Sequence, residues 1–304
     1  EAAYDAAWQR LRAHGDLRSL PTAELMYTPE GEGFRLNWLV TLDLTGPDGA
    51  WQARVDALSG EVVALDDIRA VRKPLAETAA ERIAAHEGPL ADRQAAFAAI
   101  ARLEAEREER LARASLSRAS GTGVVFDPDP RTTLRDNFLR DSASPNAFTD
   151  AYFVRDLLDI EYTGGLYYLN GPWANILDWD PPSTPPSTTT DGDWDRQRGV
   201  NSFNDAMTYF HLDQNQRYLQ SLGFVGATGI QEGSISADTD GVNGADNSYY
   251  TPGANRLSFG HGCVDDNEDA DVILHEYGHA IHHDINSSWY GGDTGAIGEG
   301  FGDY

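Results

Sequence analysis

Residues 275–283, HEYGHAIHH, hold four of the chain's eight histidines and constrain its folding more than any other stretch. On a helix, residues four apart stand one above the other on the same face. His275 and His279 have that spacing with Glu276 beside them, whereas His282 and His283 are rotated away. The neighbouring Val272, Ile273, Leu274, Ala280 and Ile281 call for a buried helix. Polar groups taken into such a helix need partners. The pattern H-E-x-x-H supplies one: two imidazoles converging on a metal ion, with a carboxylate placed to accept a proton. His282 and His283 are expected in surface or packing roles.

Two histidines do not complete a catalytic zinc shell, which takes three protein ligands and keeps a position open. A second element must add a donor. TGAIGEGFGDY, 294–304, offers Glu299, and Asp303 one helical turn further on the same face. A carboxylate there can accept a ring N–H from a ligating histidine and so fix its tautomer.

The rest of the chain reads as α+β. Residues 2–13 carry Tyr4, Trp8 and Leu11 at helical spacing. Phe34, Leu36, Trp38, Val40, Leu42 and Leu44 alternate with mostly polar residues, the pattern of a half-buried strand. GPDG then turns the chain into WQARVDA, and LSG leads to a third strand, EVVAL. Residues 74–118 are rich in Ala, Glu and Arg, which predicts one or two helices with a sparse stripe of Phe97, Ile100, Leu103 and Leu111. SRASGTG follows as an exposed, cleavable loop. From Val124 several short strands are expected. The Pro/Ser/Thr stretch 179–195 is expected at the surface. Residues 201–224 read as a helix burying Phe203, Met207, Phe210, Tyr218, Leu219 and Leu222, with His211 as a structural hydrogen-bonding group.

Charge narrows the partners. Residues 1–120 hold 15 Arg and Lys against 20 Asp and Glu, whereas residues 121–304 hold 8 against 29. This concentration of acid argues against nucleic acid or an anionic membrane, and no apolar run approaches the length of a span. It suits divalent cations, a salty environment or plain solubility, and a solvated acidic surface accounts for most of it. SADTDGVNGADN, 236–247, spaces Asp238, Asp240, Asn243 and Asp246 through glycines as calcium-binding loops do, without the full EF-hand pattern. The single cysteine, Cys263, excludes an intrachain disulfide framework and is expected to be a small buried residue. A chain that begins at Glu1 reads as a processed product whose export sequence has been removed.

HEYGHA followed by the Glu of GAIGEGFGD resembles the gluzincin metallopeptidases of the thermolysin and fungalysin type. The resemblance implies zinc ligands at His275, His279 and Glu299, a general base at Glu276 and an outer carboxylate at Asp303. It implies an oxyanion-stabilising Tyr290 and a calcium ligand at Asp271. NSYYTPGANRLSFGHG, 247–262, resembles the edge strand that lines the substrate cleft in these enzymes, with Asn247, Ser248 and Tyr249 as peptide-holding residues. The N-terminal strand pattern ending in WQARVDALSGEVVAL resembles their propeptide domains. The expected organisation is therefore a propeptide domain over 1–70, a helical connector or inhibitory segment over 71–120, and the N-terminal, β-rich lobe of a zincin catalytic domain over 121–304.

The implied activity is that of a secreted zinc endopeptidase precursor acting on peptides and proteins, with Zn2+ and possible Ca2+ as its ions. Its propeptide would act as intramolecular inhibitor or chaperone. A further C-terminal helical subdomain, absent from this sequence, would complete the cleft. The alternative expectation is a zinc-stabilised binding or inhibitory module without turnover.

Overall fold

The computed structural model describes residues 1–30, 33–71, 118–287 and 292–303. They form a mixed α+β protein in two compact units. The first comprises Glu1–Arg69 with Thr251–Ala254; the second comprises residues 70–71, 118–250 and 255–303. The helical connector expected after residue 70 lies outside the described residues. Among the described residues no helix is long and apolar enough to cross a membrane.

The first unit opens with α1 (Ala2–Leu11), closed by Arg12 in the left-handed conformation. Strands β1 (His14–Leu17), β2 (Thr22–Glu30), β3 (Gly33–Gly46), β4 (Asp48–Asp56) and β5 (Val62–Asp67) form one sheet. β3 pairs antiparallel with β1, β2 and β4, and β4 with β5. The alternation read over 34–44 is β3, but only its second half is core: Val40, Leu42 and Leu44 are buried while Phe34 is exposed. They meet Ala7, Trp8 and Leu11 of α1 and Trp51 of β4. β2 is not marked by a clean alternation in the sequence, since Met26 stands between Leu25 and Tyr27. Its Leu25 and Tyr27 remain largely exposed.

The second unit has two sheets around a helical core. One runs in the order β11 (Thr188–Thr189), β9 (Leu166–Tyr168), β8 (Tyr152–Thr163), β7 (Arg118–Phe126), β12 (Asp193–Trp194). The other runs β10 (Ala174–Ile176), β13 (Ile235–Asp238), β15 (Arg256–Phe259), β14 (Ser248–Thr251), β6 (Ala70–Val71). The helices are α2 (Pro130–Leu134), α3 (Asn201–Ser221), α4 (Ala270–Ile285) and α5 (Gly292–Gly302).

Several expectations are corrected here. The stretch 118–122 is not a loop but the start of β7, paired antiparallel with β8. The 179–195 stretch is exposed through much of its length, with Asp180, Gly192 and Trp194 buried within it. On α3, Phe203, Met207 and Phe210 are buried as read, but Tyr218 and Leu222 are 59% and 56% exposed. The buried surface of α3 is instead continued by Asn204, Asp205, Thr208, His211, Asp213 and Gln216. His211 bonds the Phe126 carbonyl at 2.9 Å through Nε2, and burial lowers its pKa, which favours the neutral ring as donor. Cys263 is exposed, in a turn where its φ is +71°.

Candidate metal centre

Helix α4 is held in the second unit's core by Ile273, Tyr277, Ala280 and Ile281. Full burial of an aliphatic side chain of this size is worth about 1.5–3 kcal/mol. Tyr277 adds a hydrogen bond to Gln216 Oε1 on α3 at 2.6 Å. Asp269 caps the helix by accepting the Asp271 N–H at 2.9 Å, which satisfies one of the orphan donors of the first turn. Just ahead of α4, Glu268 is gripped by Arg198 Nε at 2.6 Å and by the Gly199 N–H at 3.1 Å. These contacts fix the position and rotation of α4 independently of any ligand.

The rotation presents His275 and His279 together. Their Nε2 atoms are 3.1 Å apart, and both side chains are nearly buried. From α5, Glu299 brings Oε2 to 3.3 Å from His275 Nε2 and 3.7 Å from His279 Nε2. Three donors at zinc–ligand distances of about 2.0–2.2 Å in a tetrahedral shell stand roughly 3.3–3.5 Å from one another. The triangle of 3.1, 3.3 and 3.7 Å therefore fits one small cation. His275 turns Nδ1 to Asp303 Oδ1 at 2.7 Å. Its Nδ1–H donates to that carboxylate, leaving the Nε2 lone pair directed at the cation position. Glu276 is fully buried next to this group. Glu299, as a hydrogen-bond acceptor for the protonated ring, with help from Asp303, raises the His275 pKa against the opposing effect of burial. Burial lowers that of His279 to about 4. One ring of the pair therefore holds a proton far more readily than the other.

The helices come this close because glycines line the seam. A Cβ on Gly278 would sit 2.9 Å from Gly302 Cα. One on Gly302 would sit 2.9 Å from the His275 carbonyl oxygen and 3.0 Å from its Nδ1. Gly300, on the same helix, faces open space. Gly302→Ala is accordingly expected to push α5 away and weaken any cation binding at this triangle about 10–100-fold, the scale of losing an outer partner. Gly300→Ala should leave it unchanged. Competition titration against a chromophoric chelator measures both, and equal affinities in the two variants would dismiss the seam as a positioning device.

The other expected site residues fall elsewhere. Tyr290 lies outside the described residues. Asn247 and Ser248 lead into and begin β14. The Ser248 hydroxyl donates to Asp266 at 2.6 Å, and Tyr249 turns its hydroxyl inward to Asp180 at 2.6 Å. Among the described residues, Asp238, Asp240 and Asp246 are in no group of three or more His, Cys, Asp or Glu with donor atoms within 4.8 Å of one another. Asp238 accepts the N–H groups of Trp179 at 2.7 Å and Asp180 at 2.8 Å through Oδ2, and that of Asp240 at 3.1 Å through Oδ1. Burial nevertheless pushes its pKa up to about 7. Asp240 meets Thr184 and His261. Asn243 adopts φ +52°, and its N–H donates to the Pro181 carbonyl. Asp246 is exposed. Asp271 instead clusters with Asp129 and Asp269, a grouping sequence spacing could not show. Among the described residues this cluster and His275–His279–Glu299 are the groups of three or more His, Cys, Asp or Glu with donor atoms within 4.8 Å of one another.

No protein-family model and no curated protein matches the chain.

Proposed function

We propose that the chain is the precursor, or part of the precursor, of a secreted zinc-dependent endopeptidase. The carrying observation is the convergence of His275, His279 and Glu299 from two helices on one cation-sized triangle with Glu276 beside it. In this reading the first unit is the propeptide, acting as chaperone or inhibitor. The second is the β-rich lobe of a zincin catalytic domain.

His275, His279 and Glu299 would hold the zinc, which when bound supplies Lewis-acid polarisation of a carbonyl and acidification of water. The chain's own groups do the rest. Asp303 holds the His275 ring in the tautomer that presents Nε2. Glu276 accepts a proton from the attacking water at its carboxylate and returns it to the leaving amine. Tyr290 is the proposed donor to the developing oxyanion. The β14 backbone aligns the peptide.

Purified chain loaded with zinc and dialysed is expected to retain one zinc per molecule by elemental analysis. Any hydrolysis of a quenched fluorescent peptide should vanish on chelation and return with zinc. A chain that retains no zinc at micromolar free metal would remove the basis for this reading.

A further inference from the structure

The stretch 265–268 leads into α4, and its side chains are held on two different surfaces. Asp266 Oδ2 accepts the Ser248 hydroxyl at 2.6 Å, and Glu268 pairs with Arg198. Asp265 and Asn267 turn instead to α3. Asn204 Nδ2 donates to Asp265 Oδ2 at 3.1 Å, and Asn267 Nδ2 donates to Thr208 Oγ1 at 2.7 Å. Asn204 and Thr208 are one helical turn apart on the same face, about 5–6 Å between Cβ atoms. The two amides therefore stand side by side along one seam.

Each amide spends its N–H group there and leaves its oxygen over. Asn204 Oδ1 and Asn267 Oδ1 have no hydrogen-bond partner among the described residues, although Asn204 is 4% exposed and Asn267 0%. Buried acceptors in native proteins are normally satisfied. The orientation of Asn204 is fixed, because an ionised carboxylate only accepts. Among the described residues, neither 201–208 nor 265–268 carries an orphaned buried donor. The seam thus gathers two amide oxygens and a carboxylate, all of them acceptors. An internal water has two hydrogens to give, and its lone pairs call for donors in turn. A hard cation meets all three oxygens and calls for none.

We propose that Asn204 Oδ1, Asn267 Oδ1 and the Asp265 carboxylate form a site for a monovalent alkali cation between α3 and the approach to α4. Charge sets the valence. Asp265 brings one negative charge to the seam, while Asp266 and Glu268 are engaged elsewhere and Asp205 is held by Ser187 and Thr239. Calcium sites draw their affinity from several carboxylates, and a buried charge calls for a matching one. The ion would pin 265–268 to α3, so that α4 starts from a fixed point whether or not its histidines hold a metal. The inference is independent of the peptidase reading, and its test is run with divalent metal removed.

Hydrogen exchange on the full chain in the presence of a chelator reads the site locally. Where opening of 265–268 releases the ion, protection rises as one plus the ratio of free cation to its dissociation constant, about tenfold at ten times that constant. Sodium or potassium chloride should produce this rise over 265–270 relative to tetramethylammonium chloride at equal ionic strength, with β8 and β9 unchanged. Asn267→Leu should abolish it. Because that substitution alters a fully buried position, Asp265→Asn serves as a second variant, keeping the size of a half-buried side chain, and should remove most of the rise. Equal protection in all three salts overturns the proposal and leaves an internal water as the occupant. A rise undiminished in both variants also overturns it, since the ion then binds elsewhere. Protection by micromolar calcium with no response to sodium or potassium overturns the monovalent assignment.

Discussion

Glu299→Ala is expected to lower zinc affinity by more than the roughly 10–100-fold typical of losing an outer hydrogen-bond partner, because it removes a direct donor. The variant leaves His275 and His279 in place, 3.1 Å apart at Nε2, so residual two-histidine binding should survive at high metal concentration. The side chain is 43% exposed, and its truncation leaves little void. Stability without metal should therefore change little, and the effect should show in binding. Equilibrium competition with a chromophoric chelator reads the constant directly. Undiminished affinity would mean that Glu299 is an ion-pair partner of His275 and that the third donor lies elsewhere.

Glu276→Gln should have the opposite profile. The amide keeps the size of the carboxylate in a site with no exposed surface but cannot serve as the base. Zinc binding should stay within a few-fold of wild type, while peptide hydrolysis falls about 10²–10⁴-fold, the usual worth of a positioned proton acceptor. Stoichiometry by elemental analysis and initial rates on a fluorogenic peptide separate the two effects. Equal hydrolysis in the variant would rule out Glu276 as the base. Zinc retention in both proteins with hydrolysis in neither would favour a metal-stabilised binding module.

The elements most legible in the sequence are those whose pattern and burial agree. The α4 helix announces itself through apolar anchors around a fixed histidine spacing, and β3, β4 and β5 through alternation and turns. β7 was misread because small residues suggest a flexible loop. Here they answer to crowding: a Cβ on Gly121 would meet the Gly192 carbonyl oxygen at 2.2 Å, and one on Gly123 would meet Leu157 and Ala206 at 3.1 and 3.2 Å. The polar side of α3 was invisible for a related reason. Its Asp205 is fully buried because Ser187 and Thr239 hydrogen-bond to it, and such tertiary partners leave no periodic trace. The acidic loop carries tertiary contacts of the same kind. Its spacing suits a cation, yet Asp238 is surrounded by backbone N–H groups whose placement depends on Trp179 and Asp180, far away in sequence. Glu299 and Asp303, by contrast, were readable because a helix turn alone sets their relation.

On the proposed reading, the division of the donor triangle between α4 and α5 would make the metal a clasp as well as a reagent. With two donors on one helix and one on the next, an ion that binds only the assembled pair draws its affinity from their assembly. By mass action, free zinc at a thousand times its dissociation constant would add about 4 kcal/mol to the stability of the folded unit. A chain emerging into a zinc-poor compartment would hold α5 by its glycine seam and the carboxylate contacts of His275. Metal supply would then govern how long the chain survives as well as whether it acts.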